Sequence, residues 1–125
     1  MRNVKVTQVD AQPPVARMVE DIVGCKWSLA VLGLVRQDIR RPGAMEHAID
    51  GLTAKVLNER LRKLVRYGIL AKTSYPEVPP RVEYNLTAFG RKFTGVLDQI
   101  GTLQQEVDRS TAGSSKLKQR TGRVI

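Results

Sequence analysis

The stretch Thr53–Thr87, TAKVLNERLRKLVRYGILAKTSYPEVPPRVEYNLT, decides the fold. Its first part has helical spacing. At about 100° per residue, Leu57, Leu61 and Leu64 fall on one side with Val65 at the edge, while Lys55, Asn58, Glu59, Arg62 and Arg66 fall on the other. Arg60 lies near the apolar side. Thr53 is a suitable N-cap, since its hydroxyl accepts a backbone N–H, and Gly68 is a suitable C-terminal stop. The predicted helix therefore runs from Thr53 to about Tyr67. Beyond it, Leu70–Tyr75 and Arg81–Leu86 have the composition of strands, and Val82, Tyr84 and Leu86 alternate with Glu83 and Asn85. Pro76, Pro79 and Pro80 stiffen the intervening tip and keep it from further pairing.

Upstream, Pro13-Pro14 opens a segment in which Val15, Met18, Val19 and Ile22 recur at helical spacing, interrupted by Gly24. A second helix is predicted from about Trp27 to Gln37. Leu29, Ala30, Leu32, Gly33, Leu34 and Val35 make it apolar almost all round, the mark of a buried central helix. After the basic turn Arg40-Arg41-Pro42-Gly43, a short helix is expected from Ala44 to Ile49, closed by Asp50-Gly51. Downstream, Thr87 is placed to cap a long helix with Phe89, Phe93, Val96, Leu97, Ile100, Leu103 and Val107 at helical spacing. Part of that stripe exceeds what a three-helix core can cover, which suits a dimer interface. The expected architecture is mainly α with a small β-hairpin wing (α+β): a winged helix-turn-helix with a C-terminal dimerisation helix.

The organisation follows: an N-terminal arm over residues 1–12, one domain over 13–108, and a tail over 109–125. In the tail Ser110–Ser115 reads as a linker, and Lys116, Lys118, Arg120 and Arg123 make it basic. Across 125 residues, 21 Lys and Arg against 12 Asp and Glu give a net charge of +9, which favours a polyanionic partner. A membrane surface is also anionic, so charge alone does not choose. No apolar run approaches the roughly 20 residues of a spanning helix, and the N-terminus lacks a signal-peptide core. A cytoplasmic protein is the expectation, with no membrane partner. A single cysteine excludes an intramolecular disulfide framework. No cofactor or metal is expected, because His47 is a lone histidine without a second His or Cys at ligand spacing. Paired carboxylates in a glycine-bounded pocket, a nucleophile elbow and a phosphate-binding glycine loop are all missing, so no enzyme activity is expected.

A helix with one polar, cationic face fits the major groove of DNA, and a stiff basic hairpin beside it reaches backbone or minor groove. Double-stranded DNA is therefore the leading partner. Lys55, Asn58 and Arg62 point outward for base edges: Asn pairs with adenine, and Arg or Lys with guanine. Glu59 has the chemistry to accept from cytosine. Arg81 at the wing tip is assigned to a phosphate or the minor groove, and Arg40, Arg41 and Arg66 to the backbone. Thr53 completes this DNA-binding set. Trp27 reads as core. Cys25 has two readings: a redox switch whose thiol is acidified by a helix N-terminus and by Lys26, or a small, inert, buried residue.

The chain resembles the HxlR-type transcriptional regulators, a winged-helix group related to the MarR regulators, from about Pro14 to Ile100. Gly24-Cys25-Lys26-Trp27-Ser28-Leu29 is similar to the family's Gly-x-Lys-Trp-Thr/Ser block. Leu57–Leu64 resembles its Leu-x-x-Arg-Leu-(basic)-x-Leu recognition helix, and Tyr75–Thr87 resembles its wing almost residue for residue. The resemblance implies a homodimer that binds an inverted-repeat operator, and many such regulators sense redox, electrophile or aldehyde stress. Two departures stand out. Arg41-Pro42-Gly43-Ala44-Met45 occupies the place of the family's Arg-Phe-x-x-Leu, without the aromatic residue, and Pro13-Pro14 stands where sensors carry Cys-Pro. The leading expectation is a sequence-specific regulator, with a repressor as its form. The alternative is a non-specific or architectural DNA-binding protein driven by charge. A small-molecule effector stays open as a partner, with no polar cluster to mark its pocket.

Overall fold

A computed structural model describes residues 12–114. The expected N-terminal arm, apart from residue 12, and the basic tail beyond residue 114 lie outside the described residues. Among those described, the order is α1 (Val15–Val23), α2 (Lys26–Arg36), α3 (Pro42–Ala48), α4 (Ala54–Arg66), β1 (Leu70–Tyr75), β2 (Arg81–Leu86) and α5 (Ala88–Ser114). The chain divides into a body ending at Phe93 and a second unit that begins at Thr94.

The body is assembled from amphipathic helices whose apolar stripes meet. Met18 and Ile22 of α1, Val31 and Leu32 of α2, Met45 of α3, Leu57, Leu61 and Leu64 of α4, and Ile69, Leu70 and Phe93 are almost wholly shielded from water. Burying one such side chain is worth about 1.5–3 kcal/mol. Three leucines thus hold α4 to the body although the rest of its surface is polar. Met45 occupies the last position of the Arg41–Met45 segment and fills its slot with an unbranched side chain, while Pro42 takes the first helical turn. Because proline suits that turn, α3 starts two residues earlier than the glycine at 43 suggests.

The central helix differs from its reading. It is not buried all round: Leu29 is 40% exposed, and the polar Ser28 is completely enclosed. The helix ends in a Schellman arrangement. Asp38 N–H donates to the Val35 carbonyl and Ile39 N–H to the Leu34 carbonyl, with Asp38 at a φ of 70°. The end of α4 repeats the geometry with glycine: Gly68 N–H donates to Val65 and Ile69 N–H to Leu64, with Gly68 at a φ of 79°. Gly68 turns the chain directly into β1.

β1 and β2 pair antiparallel, with Leu70 opposite Leu86, Lys72 opposite Tyr84, and Tyr75 opposite Arg81. Both strand boundaries match the sequence reading. Thr87 joins the hairpin to α5: its N–H donates to the Ile69 carbonyl at 3.1 Å, and its hydroxyl accepts from Gly90 N–H at 2.8 Å. A long-range anchor ties α1 to α4. The Tyr67 hydroxyl and the Lys63 ammonium both donate to the Asp21 carboxylate, the latter at 3.1 Å, and the Tyr67 bond holds that carboxyl below its ordinary range.

From Thr94 onward the second unit is helical. Helix continues through Ser110 to Ser114, where the composition suggests a linker. A helix already running needs little local propensity to add another turn, which is why small polar residues do not end it.

Candidate nucleic-acid interface

Helices α3 and α4, joined through Gly51 at a φ of 88° and the buried Leu52, form a helix-turn-helix. Thr53 caps α4 as expected, its hydroxyl accepting from Val56 N–H at 3.2 Å. Every leucine of α4 is turned inward, so the opposite side presents Lys55, Asn58, Glu59, Arg62 and Arg66 to solvent. Lys55, Arg62 and Arg66 take part in none of the ion pairs formed by the described residues. Glu59 is occupied by Arg60 at 3.7 Å. The result is a helix face with three uncompensated cations and one amide, which is the donor set that nucleic-acid recognition uses.

The remaining arginines are placed differently. Arg81 is not a free cation at the wing tip. Its guanidinium lies 3.7 Å from the centre of the Tyr75 ring and pairs with Glu77 at 2.7 Å and Glu83 at 2.9 Å. Cross-strand register puts Tyr75 opposite Arg81, and the two carboxylates lie within four residues of it, so the cation closes the hairpin on itself. The tip presents Val78, which is 99% exposed, with Pro79 and Pro80 exposed beside it. Arg40 is likewise engaged: it donates to Asn85 Oδ1 at 2.8 Å, lies 3.6 Å from Asp38, and its carbonyl accepts from Tyr84 N–H. It fastens the wing to the turn before α3. Arg41 stays largely exposed, 3.6 Å from Glu83. Exposed His47 pairs through Nδ1 with its own helix at the Gly43 carbonyl.

A further cation, absent from the expected DNA-binding set, borders α4. Lys72 of β1 is exposed and unpaired in the ion pairs of the described residues, and it shares with Arg62, Asn58, Val65 and Tyr84 a shallow cavity between α4 and the hairpin. The signal was available. Strand alternation sets residue 72 on the same face as the buried Leu70, so a lysine there lies toward α4.

Cys25 is half-buried and is the N-cap of α2, with no side-chain capping bond. Burial pushes its thiol up, but the backbone amides of Ser28 and Trp27 at the start of α2 and the Arg60 guanidinium favour the thiolate and leave it below its ordinary value. The cation acting on the thiol is Arg60. Lys26 instead lies 5.1 Å from the Trp27 ring centre, and Trp27 itself is only half-buried.

No helix among the described residues is long and apolar enough to cross a membrane. Residues 22–111 match the model of the HxlR-like helix-turn-helix family. An HTH-type transcriptional regulator of Synechocystis is 41% identical over 100 residues, spanning 74% of this chain and 73% of the relative. Among solved structures, a protein of Enterococcus faecalis described as a transcriptional regulator of the MarR family is 28% identical, with a TM-score of 0.68 over 90% of this chain and 96% of that one. The redox regulator HypR in its oxidised form is also 28% identical, with a TM-score of 0.58 over 73% of this chain and 94% of that one. The family match spans most of the chain, and the chain belongs to the HxlR-like helix-turn-helix family of DNA-binding transcriptional regulators.

Proposed function

We propose that the protein is a homodimeric repressor that binds an inverted-repeat operator through α4. The observation that carries this reading is the outer face of α4, with three cations free of ion pairs and an amide on a helix whose other face is locked into the core. Recognition helices of this class contact base edges with their N-terminal residues. Lys55 and Asn58 lie there, so they read bases, and Arg66 meets the backbone. Arg40 and Arg81, engaged in internal bonds, shape the wing, and Arg41 is the backbone contact at its root.

The dimer reading is supported by α5. Phe89, Phe93, Val96, Ile100, Leu103 and Val107 follow one another at alternating spacings of four and three, the seam of a paired helix. Its latter part is solvent-exposed: Val96 44%, Ile100 36%, Leu103 59% and Val107 57%. A charge in that seam opposes pairing. Leu103→Glu is expected to sediment as a monomer where the parent sediments as a dimer, and to lose operator affinity because half-site contacts no longer add. Hydroxyl-radical footprinting of the best-bound duplex tests the same geometry. Two protected patches about one helical turn, roughly 34 Å, apart support it. A single patch with a monomeric parent would refute the dimer.

For the signal, the acidified Cys25 thiol and the likeness to a redox regulator support a switch. The thiolate attacks hydrogen peroxide, the O–O bond breaks, cysteine sulfenic acid forms and the departing hydroxide takes up a proton to leave as water. Alkylation of Cys25 by iodoacetamide is expected to have a lower pH midpoint than that of an unstructured cysteine peptide measured alongside. Peroxide is expected to weaken DNA binding by the parent but not by Cys25→Ser. Equal peroxide sensitivity in both proteins removes Cys25 from the mechanism.

A further inference from the structure

Among the described residues, one larger and one smaller cavity lie beside the helix-turn-helix and wing. The larger, lined by Arg41, His47, Glu77 and Arg81 among others, contains a carboxylate, and its arginines already face Glu77 and Glu83. It offers an anion little uncompensated charge. The smaller, about 190 Å³, is lined by Asn58, Arg62, Val65, Lys72 and Tyr84. None of these five is acidic, and neither of its cations belongs to an ion pair of the described residues.

Three elements bring the donors together. Arg62 comes from α4, Lys72 from β1 and Tyr84 from β2, with Lys72 directly opposite Tyr84 in the ladder. The wing's acidic strand residue, Glu83, pairs with Thr73 one position away and therefore belongs to the other face of the hairpin. The Tyr84 side chain is 8% exposed, so its ring is fixed by packing, yet its hydroxyl makes no hydrogen bond to any described residue. Arg62 acts electrostatically on that phenol, favouring its ionised form against the upward push of burial. The volume holds about six waters at roughly 30 Å³ each, room for a phosphate group that keeps part of its hydration.

We infer that this notch between the recognition helix and the wing seats one phosphodiester of the DNA backbone, with Arg62, Lys72 and the Tyr84 hydroxyl as its donors. The inference rests on the DNA-binding reading above and reassigns Arg62 from base reading to positioning. Arg62 lies two turns beyond Lys55, past the N-terminal part of the helix that meets base edges, and beside a strand lysine and a phenol that a base edge does not require. A guanidinium fork, an ammonium and a hydroxyl converging from different elements match the several acceptor oxygens of one phosphate. Such a contact fixes the register of α4 on the duplex without carrying sequence information.

The test is fluorescence anisotropy with the full chain, on its best-bound upstream duplex and on a mixed-sequence duplex, across a salt series. Lys72→Ala and Arg62→Ala are each expected to lower the magnitude of the log–log salt slope by about 0.9 per bound protomer. They should weaken both duplexes by the same factor, so the specificity ratio holds. Tyr84→Phe keeps the ring, and should weaken both duplexes about tenfold, the worth of one hydrogen bond to a charged oxygen, with the slope unchanged. Wild-type affinity and slope in Lys72→Ala would overturn the seat while leaving DNA binding intact. A collapse of the specificity ratio in Arg62→Ala would return that residue to base reading and also overturn it. Failure of the parent to bind either duplex would remove the DNA-binding reading and the seat together.

Discussion

Gly90→Ala is expected to destabilise the body by about 3 kcal/mol or more, and to lower its melting temperature by more than about 12 °C. A Cβ at position 90 would stand 2.0 Å from the Ile69 carbonyl oxygen and 3.0 Å from its carbon, both backbone atoms that no rotamer change can move. The same carbonyl accepts the Thr87 N–H, and the Thr87 hydroxyl accepts the Gly90 N–H. Relief of the clash therefore separates α5 from the Gly68–Leu70 segment and breaks its cap. Ile69 is fully buried and closes the Schellman turn of α4, so the displacement reaches the recognition helix. Gly33→Ala is the matched comparison. It lies inside α2 with nothing within 4 Å of the added methyl, and is expected to stabilise by about 0.5–1 kcal/mol from helix propensity. Thermal and urea unfolding of the two variants measures both. A Gly90→Ala protein melting within two or three degrees (roughly) of the parent would contradict the close approach.

The second large effect falls on recognition. Replacing Lys55 and Asn58 together by alanine removes the two side chains assigned to base edges. Each well-formed base contact is worth about 1–3 kcal/mol of discrimination, so affinity for the preferred site is expected to fall about 10²- to 10³-fold or more. Binding to mixed-sequence DNA should fall far less, because only one cation is lost. Neither residue is buried, and Leu57, Leu61 and Leu64 remain to hold α4, so the unfolding transition should stay within about 0.5 kcal/mol of the parent. Parallel losses on both duplexes would assign Lys55 and Asn58 to the backbone.

Much of this fold was legible because local and tertiary signals agree. The leucine spacing in α4, Thr53 before it and Gly68 after it each specify the same helix, and the strand limits at Leu70, Tyr75, Arg81 and Leu86 follow from alternation bounded by prolines. What a linear pattern omits is the neighbour brought in by the fold. Leu29 looks like core but belongs to a side of α2 that stays exposed, whereas Ser28 is enclosed. Charge counting treats Arg81 as available, yet strand pairing surrounds it with Tyr75, Glu77 and Glu83. Arg40 is captured by Asn85, a partner 45 residues away. Strand alternation places Lys72 on the Leu70 face, but the register that aligns it with Tyr84 becomes visible only once the strands are paired.

In the proposed function, α4 confers sequence-specific DNA binding. Its most direct test is anisotropy of the full chain on duplexes tiled across the upstream region of its own gene, with excess mixed-sequence competitor and a salt series. Competitor-resistant binding to one tile is expected, which Lys55→Ala/Asn58→Ala abolishes while leaving the weak, salt-sensitive background. Equal binding to every tile with a steep salt slope would contradict it, and would leave a protein that holds DNA by charge alone.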